Sequence, residues 1–184
     1  MLEDAYTIIT GGPHSGKSTL TRRLRECGYV AIGEIARPLI RLHERYGGPL
    51  PWTNNYEFQR SILPRQIARE ERHRARENRG QPRFSERGHP DSRGYSRFWK
   101  HPLPPEVDAA IAQRRYHPRV FFLESIPGYR NDSQRKELAD ETPHLTRLIF
   151  EGYQEAGYAL EVVPVMPLDE RVAFICKVTN GKRR

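Results

Sequence analysis

Residues Gly11-Gly12-Pro13-His14-Ser15-Gly16-Lys17-Ser18, followed by Thr19, spell G-x-x-x-x-G-K-S-T. Glycines at both ends of such a loop let backbone N–H groups curl around a polyphosphate, and a following helix adds the positive end of its dipole. In that arrangement Lys17 reaches the β- and γ-phosphates, and the Ser18 hydroxyl is placed to ligate Mg²⁺. The bland alternative is a glycine-rich turn carrying a chance lysine. The flanks argue against it. Tyr6-Thr7-Ile8-Ile9-Thr10 just before the loop is β-branched and aromatic, as a buried strand is, and Leu20 and Leu24 just after it have helical spacing. Strand, glycine loop and helix together predict a nucleoside triphosphate site, and the whole segment 11–19 is expected to touch the nucleotide.

The rest of the chain must build a scaffold that holds this loop. Its 184 residues suit one α/β domain over residues 1–184, with a single sheet buried between helices. No apolar run approaches the roughly 20 residues of a membrane span, and no secretory signal pattern opens the chain. Cys27 and Cys176 are far apart and form no C-x-x-C pair, which points away from zinc or a disulfide framework and toward a reducing cytoplasm. The net charge is +8, yet lysine occupies only positions 17, 100, 136, 177 and 182, so arginine carries the excess. Arginine forks suit phosphate. A nucleic-acid partner is permitted by this charge but not required.

Strands are expected at residues 6–10, 29–32, 83–86, 119–123 and 160–165. Helices are expected after the phosphate loop, from Gly33 to Leu42, from about Asn55 to Asn78 with a kink or interruption at Pro64, and over the segment opened by Asp91 as N-cap. Further helices should run from Pro104 to about Tyr116, from Thr142 to Ala156 and from Leu168 to Val178. Strands alternating with helices predict a parallel sheet covered on both faces, with right-handed crossovers. Ligands then bind at the carboxyl ends of the strands. This gathers residues 11–18, 33–37, 86–91, 124–135 and 166–169 around one site, with Glu34 and Glu86 at the tips of the second and third strands.

At these residues the chain resembles the small stand-alone P-loop proteins of the AAA-domain ATPase family, and through them the kinase domain of the ribosylnicotinamide kinases. The resemblance covers almost the whole chain. It rests on Gly11 to Thr19, Glu34-Ile35-Ala36-Arg37, Glu86-Arg87-Gly88-His89-Pro90-Asp91-Ser92, Arg130 and Arg135, and the stretch from Val163 to Val172. It implies a nucleotide-kinase-like P-loop fold, with a five-stranded parallel sheet in the order 2-3-1-4-5 and a short lid over the phosphates. The lid falls at 125–140, and the acceptor side at the helical segment 46–80. One departure stands out. The family's third strand usually ends in D-R-G, whereas this chain has Glu86-Arg87-Gly88, similar to the E-R-S of deoxynucleoside kinases.

The resemblance assigns roles that compete with simpler ones. Glu34 lies where nucleoside kinases place the carboxylate that accepts the acceptor's hydroxyl proton; otherwise it is a first-turn acid favoured by the helix dipole. Glu86 is either a second candidate base or an organiser of Mg²⁺, against the alternative of a strand-end acid paired with an arginine. Arg37 is expected to bind the acceptor, Arg87 either grips an acceptor phosphate or Glu34 or is a surface arginine, and Asp91 either contacts the acceptor or caps its helix. Arg130 and Arg135 fall where small kinases carry lid arginines, which neutralise charge on the transferring phosphoryl group. The adenine is expected against Pro167 and Leu168. A guanine-reading alternative would rest on Asp91-Ser92-Arg93-Gly94 as D-x-x-G, but no N-K-x-D accompanies it. The arginines from Arg65 to Arg76 are interrupted by Glu70 and Glu71, as on a solvated helix face.

The reading is a cytoplasmic ATP- and Mg²⁺-dependent kinase, monomeric or homodimeric, acting on a small and nucleoside-like acceptor. The alternatives are a nucleotide-dependent switch whose basic face contacts lipid or protein, and a polynucleotide kinase. All share one first test. Lys17→Ala removes a charge-assisted contact to the β/γ-phosphates, so nucleotide affinity or turnover should fall while the circular dichroism spectrum stays native. Wild-type turnover in this variant would show that the loop is not the working site.

Overall fold

Strand β1 (Tyr6–Gly11) is buried along its whole length and lies at the centre of the sheet. The computed structural model describes residues 5–76, 81–113, 116–127 and 140–180. On one side β1 pairs in parallel with β3 (Arg83–Glu86), and on the other with β4 (Arg119–Leu123). The edges are β2 (Val30–Ile32), against β3, and β5 (Ala159–Val163), against β4. The order is therefore β2-β3-β1-β4-β5 and every pairing is parallel, as the resemblance implied.

Alternation along the strands splits the core into two layers. Ile8 joins Tyr6, Ile32, Phe122, Ile149 and Tyr153 in one cluster. Ile9, its neighbour in sequence, joins Leu20, Phe84, Phe121, Leu123 and Ile175 in the other. The second layer is closed by helix α1 (Lys17–Glu26), which buries Leu20 and Leu24, and by α7 (Leu168–Asn180). The first is closed by α6 (Thr142–Glu155), packed on α4 (Asp91–Phe98). A third, smaller cluster of Leu39, Ile40 and Phe58 ties α2 (Ala36–Tyr46) to α3 (Asn55–Arg76). Helix α5 (Pro105–Gln113) follows α4.

Three local expectations are corrected. Helix α2 starts at Ala36 rather than Gly33, which leaves residues 33–35 as a loop at the strand end. Helix α3 is not interrupted at Pro64. That residue is exposed, so the carbonyl its missing N–H cannot serve is on a side that water can reach. Asp91 is the first helical residue of α4, and the N-cap is Pro90. The carboxylate of Asp91 turns inward instead of capping. Both cysteines are free thiols, Cys27 exposed and Cys176 half-buried. Among the described residues no helix is long and apolar enough to cross a membrane.

The contact between α4 and α6 leaves no room for a side chain at Gly94. A Cβ there would stand 2.8 Å from the backbone N and Cα of Ile149. Backbone on both sides cannot yield as a flexible side chain would. Gly94→Ala should therefore destabilise the protein by about 1–3 kcal/mol of overpacking, despite alanine's better helix propensity. Urea unfolding of the variant measures this; a midpoint at or above that of the wild type would contradict the packing described.

Candidate functional site

The loop between β1 and α1 is held from three directions. Gly16 takes φ 83°, a left-handed value suited to glycine, and serves as N-cap of α1. From inside, the Lys17 ammonium donates to the carbonyls of Gly11 (3.0 Å) and Gly12 (2.6 Å) and to Ser15 Oγ (3.0 Å). From the side of β4, the Ile126 amide donates to His14 O at 3.1 Å. From α7, Arg171 reaches the loop: its Nη1 donates to Ser15 O (2.6 Å) and its Nε to Pro164 O (3.1 Å). Arg171 is buried, at 3% exposure, and ties the turn after β5 to the phosphate loop.

Two carboxylates converge beside Lys17. Ser18 Oγ donates to Glu86 Oε1 at 2.6 Å, which joins the start of α1 to the end of β3. Glu34, in the loop after β2, accepts from Arg87 Nε at 2.8 Å and lies 3.5 Å from Arg37 Nε. Arg87 continues the network, with Nη1 on Asp91 Oδ1 (2.8 Å) and Nη2 on the Tyr95 hydroxyl (2.9 Å). Asp91 also accepts from Thr10 Oγ1 (2.8 Å), the Gly88 amide (3.1 Å) and the Tyr153 hydroxyl. Such a buried carboxylate is satisfied on both oxygens.

Electrostatics separate the two glutamates. Burial alone would raise the pKa of Glu34, but the charges of Arg87, Lys17 and Arg37 outweigh it and hold the pKa below the ordinary value. Burial raises that of Glu86, and the neighbouring Glu34 charge adds to the rise against the pull of Ser18, Lys17 and Arg87. Arg87 remains charged because Tyr95, Glu34 and Asp91 overcome its burial. Burial, joined by repulsion from Arg87, lowers Lys17 to about 7.

Two cavities meet at these charges. One is lined by the phosphate loop from His14 to Thr19 together with Ile126 and Pro127. The other is less open and more apolar, walled by Ile32, Trp52, Phe58, Ile62 and Tyr95 between β2, α2, α3 and α4. Glu34, Arg37, Glu86 and Arg87 line both. They form the seam between a phosphate cradle and an enclosed pocket.

The structure thus brings Gly11 to Thr19, Glu34, Arg37, Glu86, Arg87 and Asp91 into one region. Pro167 and Leu168 are not in the wall of the cavity lined by the loop; Leu168 opens α7 at 36% exposure, connected to the loop through Arg171. Arg130 and Arg135, and residues 128–139 of the expected lid, lie outside the described residues. Asp91 and Gly94 are both helical, and their spacing reflects a buried carboxylate and a close helix contact. Sequence reasoning gave no role to Thr10 or Tyr153, and none to Arg171 beyond its place in the stretch from Val163 to Val172. None carries a local signal: Ser15 and Arg171 are 156 positions apart, and Asp91 and Tyr153 are 62.

A sheet in this order, with the phosphate loop at the first strand–helix turn, defines a P-loop protein of nucleotide-kinase-like fold, and that fold implies nucleotide binding. The chain belongs to an AAA-domain family, whose model matches residues 6–171. No curated protein matches it significantly. Among solved structures it is similar to deoxyadenosine kinase from M. mycoides with bound dATP, at TM-score 0.66 and 14% identity over 96% of this chain and 99% of that one. It is likewise similar to thymidylate kinase from Ehrlichia chaffeensis, at TM-score 0.65 and 11% identity over 96% and 98% of the two chains. Shikimate kinase from Acinetobacter baumannii is similar at TM-score 0.55 and 15% identity, over 98% and 96%. At such identities the likeness is one of fold.

A lysine with pKa about 7 makes nucleotide binding pH-dependent. A polyphosphate favours the charged ammonium, so binding should take up a proton above pH 7, and affinity should fall as pH rises through that value. Calorimetric titrations at pH 8 in buffers of different ionisation enthalpy should show this uptake, and Lys17→Ala should abolish it. Equal proton uptake in both proteins would assign the ionisation to another group.

Proposed function

We propose that this chain is an ATP-dependent kinase that transfers the γ-phosphate to a hydroxyl of a small, nucleoside-like acceptor. The observation that carries the reading is the seam of Glu34, Arg37, Glu86 and Arg87 between the phosphate cradle and the enclosed apolar pocket. Hydrolysis alone needs no such pocket beyond the γ-phosphate, whereas phosphoryl transfer needs an acceptor held in line and shielded from water. Pro13 reaches the same pocket, so a group bound there lies directly beside the loop.

Mg²⁺ fits the donor set at the loop. Ser18 Oγ and the Glu86 carboxylate are hard oxygen donors 2.6 Å apart, the kind of donor that Mg²⁺ prefers. Ser18 would hold the ion and Glu86 would orient it, directly or through water. When bound, the ion neutralises charge on the β- and γ-phosphates.

The chain's own residues supply the rest. Lys17 grips the β/γ-phosphates, with loop and α1 amides around them. Glu34, fixed by Arg87 and Arg37, accepts a hydrogen bond from the acceptor hydroxyl and aims its oxygen at the γ-phosphorus. The new P–O bond forms as the bond to the β-phosphate oxygen breaks; ADP leaves, and the hydroxyl proton passes through the Glu34 carboxylate to solvent. A pKa below the ordinary value does not preclude this, because a loose phosphoryl-transfer transition state relies on positioning more than on base strength. From their place after β4, Arg130 and Arg135 are proposed to neutralise the equatorial oxygens.

Screening nucleosides, nucleotides and small alcohols with γ-labelled ATP tests the activity; ATP binding without transfer to any acceptor would defeat the kinase reading. With an acceptor in hand, Glu34→Gln should lower kcat by roughly 100-fold with nucleotide affinity nearly kept. Glu86→Gln should instead weaken Mg²⁺-dependent ATP binding by about 10-fold or more. The reverse pattern would exchange the two roles, and wild-type kinetics in both variants would remove them from the site.

A further inference from the structure

Helix α3 presents Phe58, Gln59, Ile62, Gln66 and Arg69 to the enclosed pocket. From Phe58 to Arg69 this face runs about 16 Å along the axis at 1.5 Å per residue. It begins at the apolar cluster with Leu39 and Ile40 and ends at a guanidinium. Arg69 differs from the other two arginines of the pocket. Arg87 is bound to Glu34 and Asp91, and Arg37 lies against Glu34. Arg69 is half-buried and makes no hydrogen bond or ion pair with any described residue. Burial lowers its pKa first, and repulsion from Arg25 and Arg72 deepens the effect against the attraction of Glu86.

A guanidinium in the wall of a pocket, partly shielded from water and without a protein counter-charge, is available for a charge-assisted contact with an anionic ligand. The phosphates of ATP are not that ligand, because Arg69 is absent from the wall of the cavity that contains the loop. The pocket's carboxylates do not supply the counter-charge either. Glu34 and Asp91 are engaged by Arg87, and Glu86 accepts from Ser18 without forming an ion pair with Arg69. We infer that the acceptor carries an anionic oxyacid group, a phosphate or a carboxylate, which Arg69 binds while the reacting hydroxyl meets Glu34. The inference rests on the kinase reading for what becomes of the ligand, but not for how the ligand is held.

Binding and transfer are measured separately so that each can fail alone. Protein saturated with Mg²⁺ and a non-hydrolysable ATP analogue, which occupies the loop, is titrated calorimetrically. The probes are adenosine, cytidine and thymidine, their 5′-monophosphates, and the hydroxy-carboxylates shikimate and gluconate. At least one anionic probe should bind about 10- to 100-fold tighter than the neutral nucleosides, the range expected for a charge-assisted contact. Arg69→Gln should remove that advantage and Arg69→Lys should restore part of it. Preference for the monophosphates identifies the group as phosphate, and preference for the hydroxy-carboxylates identifies it as carboxylate. Neutral nucleosides binding as tightly as every anionic probe, no binding by any anionic probe, or an Arg69→Gln variant with unchanged preference would each overturn the inference. If an anionic probe binds through Arg69 yet gains no phosphate from labelled ATP, the anion site stands and the kinase reading falls.

Discussion

The guanidinium of Arg87 is the contact on which the rest of the site depends. Its Nε holds Glu34 from the loop after β2, its Nη1 holds Asp91 at the start of α4, and its Nη2 holds the Tyr95 hydroxyl one turn further along α4. Only a rigid planar fork distributes three contacts in this way; a lysine ammonium could not replace it. The backbone is bent to suit. Arg87 takes φ 70°, a left-handed value uncommon for a residue with a side chain, at the turn between β3 and α4. Its amide meanwhile remains bound to Ile9 O at 3.0 Å, which keeps that turn attached to the central strand.

That arrangement sets the charge state of the site. With Arg87 and Arg37 on one side and Lys17 nearby, the pKa of Glu34 is held below its ordinary value, although burial pulls it upward. Glu86 has the Ser18 hydroxyl close but no arginine in ion-pair contact, and so its pKa moves the other way. Two glutamates at the ends of neighbouring strands thereby acquire different characters from their partners, the usual way one site holds two carboxylates in two roles. Arg69 enters the same balance from the far end of α3 as the pocket's one cation without a described partner.

The phosphate loop is likewise held by distant parts of the chain. Arg171 bridges Ser15 O and Pro164 O, which ties the turn after β5 to the loop after β1. Asp91, satisfied by Thr10, Gly88, Arg87 and Tyr153, links β1 and α6 to the same centre. Buried polar groups bonded as fully as the Asp91 carboxylate add little net stability. They do restrict the geometries available, because any rearrangement would leave one of them unpaired in a low dielectric.

Much of this was local information. The loop from Gly11 to Ser18 was legible because its chemistry needs a fixed spacing of glycines, lysine and serine in a strand–helix turn. The strands around Ile8 and Phe121 were legible because burial on both faces demands continuous apolar or β-branched residues, whereas Arg83-Phe84-Ser85-Glu86 has one apolar residue and a weaker signal. The sheet order, and the position of Glu34 and Glu86 at strand ends, followed from the family resemblance together with the rule that parallel strands open their sites at one edge. What the sequence could not decide were contacts made across the fold. Asp91 looks like a helix cap to any local reading, and only the arrival of Thr10 from β1 and Tyr153 from α6 turns its carboxylate inward. Arg69 reads as one more charge on a solvated helix until α3 is laid over the pocket and rotates that residue into the wall. Arg171 has no spacing that betrays its grip on Ser15. Local chemistry is written in short-range patterns, whereas the partner of a buried charge is chosen by packing, and packing is a property of the whole fold.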